Sequence, residues 1–107
     1  MKGEKLGEFE ELLVLAVWAL GDGTYAVPIQ QYIEKASGRN VSMGAVYAGL
    51  DRVERKGLVR ADVGEVTRQR GGKRKRLYSI TPTGRRTLHT ARKVRDQIWR
   101  AIEEGRS

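Results

Sequence analysis

Apolar residues recur along the chain with two different periods, and these periods predict helices, then strands, then a last helix. The first apolar run, at residues 12–20, follows Glu8, Glu10 and Glu11 and stops at Gly21. Acidic residues before such a run and a glycine after it are typical of a helix, and leucine and alanine outnumber β-branched residues within it. A helix that is apolar on every side must be covered on every side. We therefore expect more apolar surface here than one small domain covers.

A second helix is predicted after the Gly-Asp-Gly turn. Pro28 is tolerated in a first helical turn, and Ile29, Ile33 and Ala36 are spaced as one apolar face. Gly38 is expected to end this helix. Because only a short link separates it from a third helix, the pair predicts the helix–turn–helix arrangement that presents its second helix to the major groove of DNA.

The chain is organised around this third helix, within residues 41–59. Ser42 occupies an N-cap position, and Val41 and Val46 flank it at the spacing of a hydrophobic staple. Gly57 suits the left-handed position after the helix. The apolar face consists of Val46, Leu50 and Val53.

The opposite face of the third helix is expected to contact DNA. Gly44 and Gly49 each cost a helix interior up to about 1 kcal/mol relative to alanine. Close approach of DNA explains Gly44, whereas Gly49, on the apolar side, is expected to permit tight helix packing. The simpler interpretation of this face is a cap followed by ordinary surface residues. The residues expected to bind DNA through this helix are Ser42, Met43, Gly44, Tyr47, Ala48 and Arg52.

Beyond Gly57 the apolar period changes to two, which predicts a β-hairpin. One strand places Val59, Ala61 and Val63 on one face, and the second candidate strand, at residues 76–80, contains Tyr78 and Ile80. Gly71-Gly72 suits the tip. Residues 68–76 carry six basic side chains and no acid, so the hairpin is predicted to be a cationic wing that binds phosphate. The wing residues expected to contact DNA are Arg70, Lys73, Arg74, Lys75 and Arg76.

The last predicted helix has an apolar stripe that no other predicted element of the chain covers. Thr81 suits its N-cap and Pro82 its first position. The apolar surface of this stripe and that of the first helix together exceed what 107 residues can cover. This excess predicts a homodimer. The expected interface residues are Leu12, Leu15, Leu88, Ala91, Val94, Ile98 and Ile102. We accordingly divide the chain into a winged helix–turn–helix DNA-binding domain at residues 1–81 and a C-terminal dimerisation helix at residues 82–107.

Trp18 and His89 have simple interpretations, whereas Trp99 has two. Trp18 is expected in the core, and His89 on the exposed side of the last helix. Trp99 lies beside the apolar stripe, where an indole could stack on a flat ligand in a dimer cavity or simply pack in the interface. Both interpretations of Trp99 remain open.

Composition and charge narrow the function. The 107 residues carry a formal net charge of +8, which favours a polyanionic partner. There is no cysteine and a single histidine, so thiolate chemistry is excluded and no metal site or catalytic constellation is expected. The longest apolar run is too short to span a bilayer, and no secretion signal is evident. We expect a cytoplasmic protein that is not an enzyme, needs no cofactor and binds double-stranded DNA.

Three segments together resemble the PadR family of bacterial transcription regulators, specifically its small type with a single C-terminal helix. They read LGEFEELLVLAVWAL at the start, GRNVSMGAVYAGLDRVERKGLV in the recognition unit and RGGKRKRLYSITPTG in the wing. The resemblance implies a homodimeric repressor with one winged helix on each subunit, bound to a palindromic operator. It also implies release by a small aromatic or hydrophobic effector, which many members of the family bind.

Two other classes of protein remain as alternatives. A small basic RNA-binding or ribosome-associated protein would carry aromatic platforms on its strands for base stacking, and only Tyr78 qualifies here. The second alternative is a winged helix that docks on another protein without binding DNA. Overall, the sequence predicts a mainly α protein with a small β-hairpin, an α+β winged helix–turn–helix with a long C-terminal helix.

Overall fold

A computed structural model describes residues 6–66 and 74–105 of the chain. Its architecture is the predicted α+β winged helix–turn–helix with four helices and a two-stranded antiparallel hairpin. In chain order, the elements are α1 (Glu8–Leu20), α2 (Ala26–Ser37), α3 (Met43–Arg55), β1 (Val59–Val66), β2 (Arg74–Ile80) and α4 (Pro82–Glu103).

Local hydrogen bonds start the helices where the sequence predicts them. The Ser42 hydroxyl accepts from the Ala45 backbone N–H at 3.0 Å, and the Thr81 hydroxyl accepts from the Gly84 N–H at 2.9 Å. Each bond satisfies one of the backbone donors that a helix start leaves without a partner. Gly57 follows α3 with φ at 77°, a left-handed conformation that glycine adopts without steric cost.

The register of the hairpin places its apolar side chains on one face. Val59 pairs with Ile80 and Ala61 pairs with Tyr78, so these four side chains lie on the same face of the hairpin. The second strand begins two residues earlier than the candidate strand at 76–80. The predicted tip, Gly71-Gly72, lies outside the described residues.

Tyr78 also connects the hairpin to the turn after α1. Its backbone N–H donates to the Thr24 carbonyl at 2.7 Å, and its carbonyl accepts from the Gly23 N–H at 3.0 Å. This isolated antiparallel bridge pairs Thr24 with Tyr78 of β2. This contact is not visible in the sequence, because a single bridging residue has no periodicity.

The core lies between the first three helices and the inner face of the hairpin. Its largest fully buried side chains include Leu13 and Val17 of α1, Ile29 of α2, and Leu50 and Val53 of α3. Both valines of the predicted staple, Val41 and Val46, are buried in this core.

Two apolar side chains differ from their predicted environments. Ala36 is exposed, because it belongs to the last turn of α2, and Ala26, Ile29 and Ile33 form the buried face instead. Trp18 was expected in the core but is 37% exposed. It lies on the side of α1 that faces α4, where few elements cover it.

Only the start of α4 belongs to the packed winged unit. A Cβ at Gly84 would overlap the carbonyl oxygen of Leu58, so glycine lets the helix start directly against the strand connection. Leu88 is buried in the core, and the side chains of residues 92–100 are exposed. At 1.5 Å per residue the helix is about 33 Å long, and the molecule is correspondingly elongated at 59 × 31 × 20 Å. Within the described ranges, no helix is long and apolar enough to cross a membrane.

Candidate nucleic-acid interface

Two polar side chains of α2 fix the turn that leads into α3. The Val41 backbone N–H donates to the Glu34 carboxylate at 2.8 Å, and the Val41 carbonyl accepts from the Gln30 amide at 2.7 Å. The turn therefore has both its donor and its acceptor satisfied by side chains, which holds α3 at a set angle to α2. These two residues were not among the predicted site residues, although the i, i+4 spacing of Gln30 and Glu34 places them on one side of α2.

The start of α3 presents small and aromatic side chains to solvent. Tyr47 is 55% exposed, and Ser42, Gly44 and Ala48 are exposed too. Met43 is only half-buried and packs against the core from the edge. A Cβ at Gly44 would meet open space apart from the Ser42 hydroxyl at 4.0 Å. Packing within the chain therefore does not require glycine at this position.

A buried carboxylate holds the other end of α3. Glu10 of α1 is only 8% exposed, and its two oxygens accept from Arg52 Nε at 2.9 Å and from Lys56 Nζ at 2.7 Å. The Gly7 backbone N–H adds a third hydrogen bond at 3.1 Å. Arg52, one of the predicted DNA contacts, is thus held in an ion pair within its own chain.

These contacts decide the charge of Glu10. Burial acts to raise its pKa, but the hydrogen bonds from Lys56, from the Gly7 backbone and from Arg52 together lower the pKa from 4.5 to about 2. Hydrogen bonds and opposite charges favour the ionised form of a carboxyl group. Glu10 is therefore a permanent anion between α1 and α3 at neutral pH.

The wing is attached to the helices by two of its basic side chains. Arg76 donates to Glu54 of α3 at 2.9 Å, and Lys75 places its ammonium 4.0 Å from the centre of the Tyr25 ring, at the start of α2. A cation over an aromatic face is held by the charge distribution of the ring. The base of the wing is therefore fixed relative to both helices of the helix–turn–helix.

The remaining predicted wing contacts are outside what the structure describes. Arg70 and Lys73 fall in the gap between residues 66 and 74, and Arg74 is the first residue of β2. Among the described residues, the structure places Lys75 and Arg76 of the wing beside the helices that carry the start of α3.

The α1–α4 side carries a separate groove. Trp99 is 62% exposed and lines this groove together with Trp18 and Leu15, and its volume is about 310 Å³. Arg95 of α4 donates to Glu11 of α1 at 3.0 Å within the same groove. His89 is exposed, as predicted, and its ring meets that of Trp18 edge-on at 5.5 Å.

The predicted interface residues differ in how far their own chain covers them. Leu88 is buried in the core of the winged unit, and Leu12 and Ala91 are partly covered. The four remaining side chains are between 41% and 57% exposed, and they are Leu15, Val94, Ile98 and Ile102. Across the described residues, no cluster of three or more histidine or acidic side chains could hold a metal ion.

Comparison with known proteins supplies a family. The family model described as "Transcriptional regulator PadR-like family" matches residues 14–90. No curated protein matches the sequence.

Solved structures share the fold. A PadR-like transcription factor from Bacteroides fragilis superposes with a TM-score of 0.75 at 21% identity, over 90% of this chain and 87% of that chain. A Streptococcus mutans protein matches over 99% and 97% of the two chains, with a TM-score of 0.69 and 22% identity. Bacillus subtilis PadR in complex with operator DNA has a TM-score of 0.64 at 15% identity, over 77% of this chain and 46% of that one.

Proposed function

Since the chain belongs to the PadR-like family of transcriptional regulators, we propose that it is a homodimeric repressor that binds a palindromic operator. Each subunit inserts the start of α3 into a major groove, and its wing contacts the neighbouring phosphates. A small aromatic or hydrophobic effector releases the dimer from DNA.

One observation carries the DNA-binding proposal: the exposed face at the start of α3 has small residues that its own fold does not require. Gly44 has open space at its Cβ position, and Ala48 beside it is exposed. A surface of this shape lets a helix backbone come close to base edges and phosphates. Tyr47 at its border offers a hydroxyl donor and a flat apolar ring. A PadR protein with a similar fold has been solved in complex with operator DNA, which supports DNA binding by this chain.

Phosphate contacts are assigned to the wing and to the flanks of α3. The wing cluster comprises Arg70, Lys73, Arg74, Lys75 and Arg76, and Arg52 joins it from α3. Contacts of this kind set affinity and orientation, whereas side chains in the major groove read the sequence.

Dimerisation is assigned to the outer faces of α1 and α4. Leu15, Trp18 and Leu20 of α1 and Ile98, Trp99 and Ile102 of α4 all expose at least a third of their surface. Leu15, Trp18 and Trp99 line one groove, and exposed apolar surface of this kind marks an interface. A second copy of the chain supplies the same surface in return. We place the division between the winged unit and the dimerisation segment inside α4, after Leu88, rather than at residue 81.

The groove between α1 and α4 is the proposed effector site. Two indoles and two leucines line it together with His89 and charged side chains of both helices, and a second subunit would enclose what one subunit leaves open. Flat aromatic molecules gain affinity by stacking on such rings.

Selection of bound duplexes from a random DNA pool tests the proposal. The expected result is a two-fold symmetric consensus whose half-sites are about one helical turn, or a multiple of it, apart. RNA of equal length serves as the competitor. Preference for RNA, or a consensus without symmetry, would contradict the proposed function.

A further inference from the structure

We propose that Glu10, a buried residue of α1, is a positioning residue that holds the Arg52 guanidinium for contact with a DNA phosphate. This inference rests on the proposed function, because it concerns the same DNA-binding helix. It adds a residue from outside the helix–turn–helix to the determinants of operator affinity.

The geometry of Glu10 fixes the direction of Arg52. Glu10 Oε2 accepts from Arg52 Nε at 2.9 Å, while Oε1 is held by Lys56 Nζ at 2.7 Å and by the Gly7 backbone N–H at 3.1 Å. A carboxylate with both oxygens engaged cannot rotate freely. It therefore imposes one orientation on the planar guanidinium that it binds.

The charges leave Arg52 able to attract phosphate. Glu10 carries one negative charge and is paired with two cations, Lys56 and Arg52. Lys56 is the more covered cation, with 20% of its side chain exposed, whereas 44% of the Arg52 side chain is exposed. The positive charge that faces solvent is therefore that of Arg52.

Glu10 binds the Nε atom of Arg52, which a phosphate contact through the Nη groups does not require. The ion pair engages Nε, and the Nη groups at the other end of the guanidinium can still donate to phosphate oxygens. Arg52 follows Asp51 in the sequence. It lies one helical turn beyond Ala48 on the exposed face of α3. Because a long side chain loses rotamer freedom on binding, holding it beforehand is worth up to about tenfold in affinity.

The experiment compares operator affinity and its salt dependence for wild type, Glu10→Gln, Arg52→Gln and the double variant. We expect each single variant to bind about five- to tenfold more weakly and to lower the log-salt slope by about 0.9, the value of one phosphate contact. The double variant should lose no more than either single one. Glu8→Gln is the matched control, since it removes the same charge from an exposed position in the same turn of α1 and should not lower the slope.

Arg52→Lys keeps the protein testable if Glu10→Gln does not fold. Lysine retains the charge, but a single ammonium cannot reach both Glu10 and a phosphate in the way a planar fork does. We expect Arg52→Lys to bind about as weakly as Arg52→Gln. Wild-type affinity and slope in this variant would overturn the inference.

The other outcomes separate the possible failures. An unchanged slope in Glu10→Gln with a lowered melting temperature would make Glu10 purely structural and overturn the inference. A steeper slope would mean that Glu10 withholds Arg52 from DNA, which also overturns it. If wild type itself prefers no duplex, the proposed function fails. If wild type binds its operator and only these variants behave differently from expectation, the positioning role alone fails.

Discussion

Gly49 of α3 lies so close to Leu13 of α1 that a methyl group on Gly49 would overlap the end of the Leu13 side chain. Phe9 would also lie 3.2 Å from that methyl group. Leu13 is fully buried and has little room to move away. The glycine therefore sets how closely α3 packs on α1, as predicted from its place on the apolar side of the helix.

Replacing Gly49 with alanine should destabilise the fold. Overpacking a core by one methyl group costs about 1–3 kcal/mol, which exceeds the gain of up to about 1 kcal/mol from better helix propensity. We expect a net loss of about 1–2 kcal/mol in the free energy of unfolding, measured by denaturant titration.

Gly44→Ala is the matched variant on the exposed face of the same helix. Its added methyl group meets open space, so the free energy of unfolding should rise by up to about 1 kcal/mol, while operator affinity should fall. A loss of stability here, or no loss at Gly49, would show that the two faces of α3 are assigned wrongly.

Stability should fall at acidic pH in a way that depends on Glu10. Its pKa in the folded protein is about 2, below its ordinary value of 4.5. The stabilisation is therefore fully present above about pH 4.5 and is lost as the pH falls from 4.5 towards 2. This lowering of the pKa corresponds to about 3 kcal/mol in the free energy of unfolding at neutral pH.

Denaturant titrations of wild type and Glu10→Gln from pH 7 to pH 2 measure this contribution. The gap between the two proteins should be largest at neutral pH and should close in the acidic range. A gap that does not change with pH would show that the carboxylate charge is not what stabilises the contact between α1 and α3.

Tyr47→Ala tests the DNA-binding face without touching the core. Tyr47 is 55% exposed, so the variant should unfold at nearly the wild-type denaturant concentration. Operator binding should weaken by about 1–3 kcal/mol, as measured by titration of the labelled duplex. Equal weakening for unrelated duplexes would assign Tyr47 to backbone contacts rather than to sequence recognition.

Changing Ile98 and Ile102 together to aspartate should yield monomers or unfolded chains and abolish operator binding. Both side chains are at least half exposed in the single chain, so the charges would fall on the proposed interface. Sedimentation at micromolar concentration measures the assembly. Thr90 and Gln97 are exposed on the same helix outside the predicted stripe, and changing both to aspartate should leave a dimer. A well-folded wild-type monomer would contradict the proposed assembly.

The effector site can be tested through the fluorescence of Trp99. In Trp18→Phe the only indole is that of Trp99, and we expect saturable quenching by flat aromatic compounds. Release of the operator over the same concentration range would connect the groove to regulation. If a broad panel of such compounds produces no quenching, Trp99 serves packing alone.

The sequence was sufficient for features that depend on near neighbours. The caps at Ser42 and Thr81 and the left-handed turn at Gly57 use contacts between residues a few positions apart, so their residue types alone predict them. The alternation around Tyr78 and the clustering of basic residues in the wing are equally visible in the sequence. Together these signals specified the order of elements, the winged helix–turn–helix and the helix expected to meet DNA.

Tertiary structure decided which of the candidate residues have partners within the chain. The sequence places Arg52 and Arg76 on the expected DNA surface, yet only the packing of α1 against α3 brings Glu10 to Arg52, and only the hairpin orientation brings Glu54 to Arg76. The exposure of Trp18 has the same origin. The physical reason is that periodicity defines which face of an element is apolar, whereas charge pairing and coverage depend on the angle and distance between elements, which distant contacts determine together.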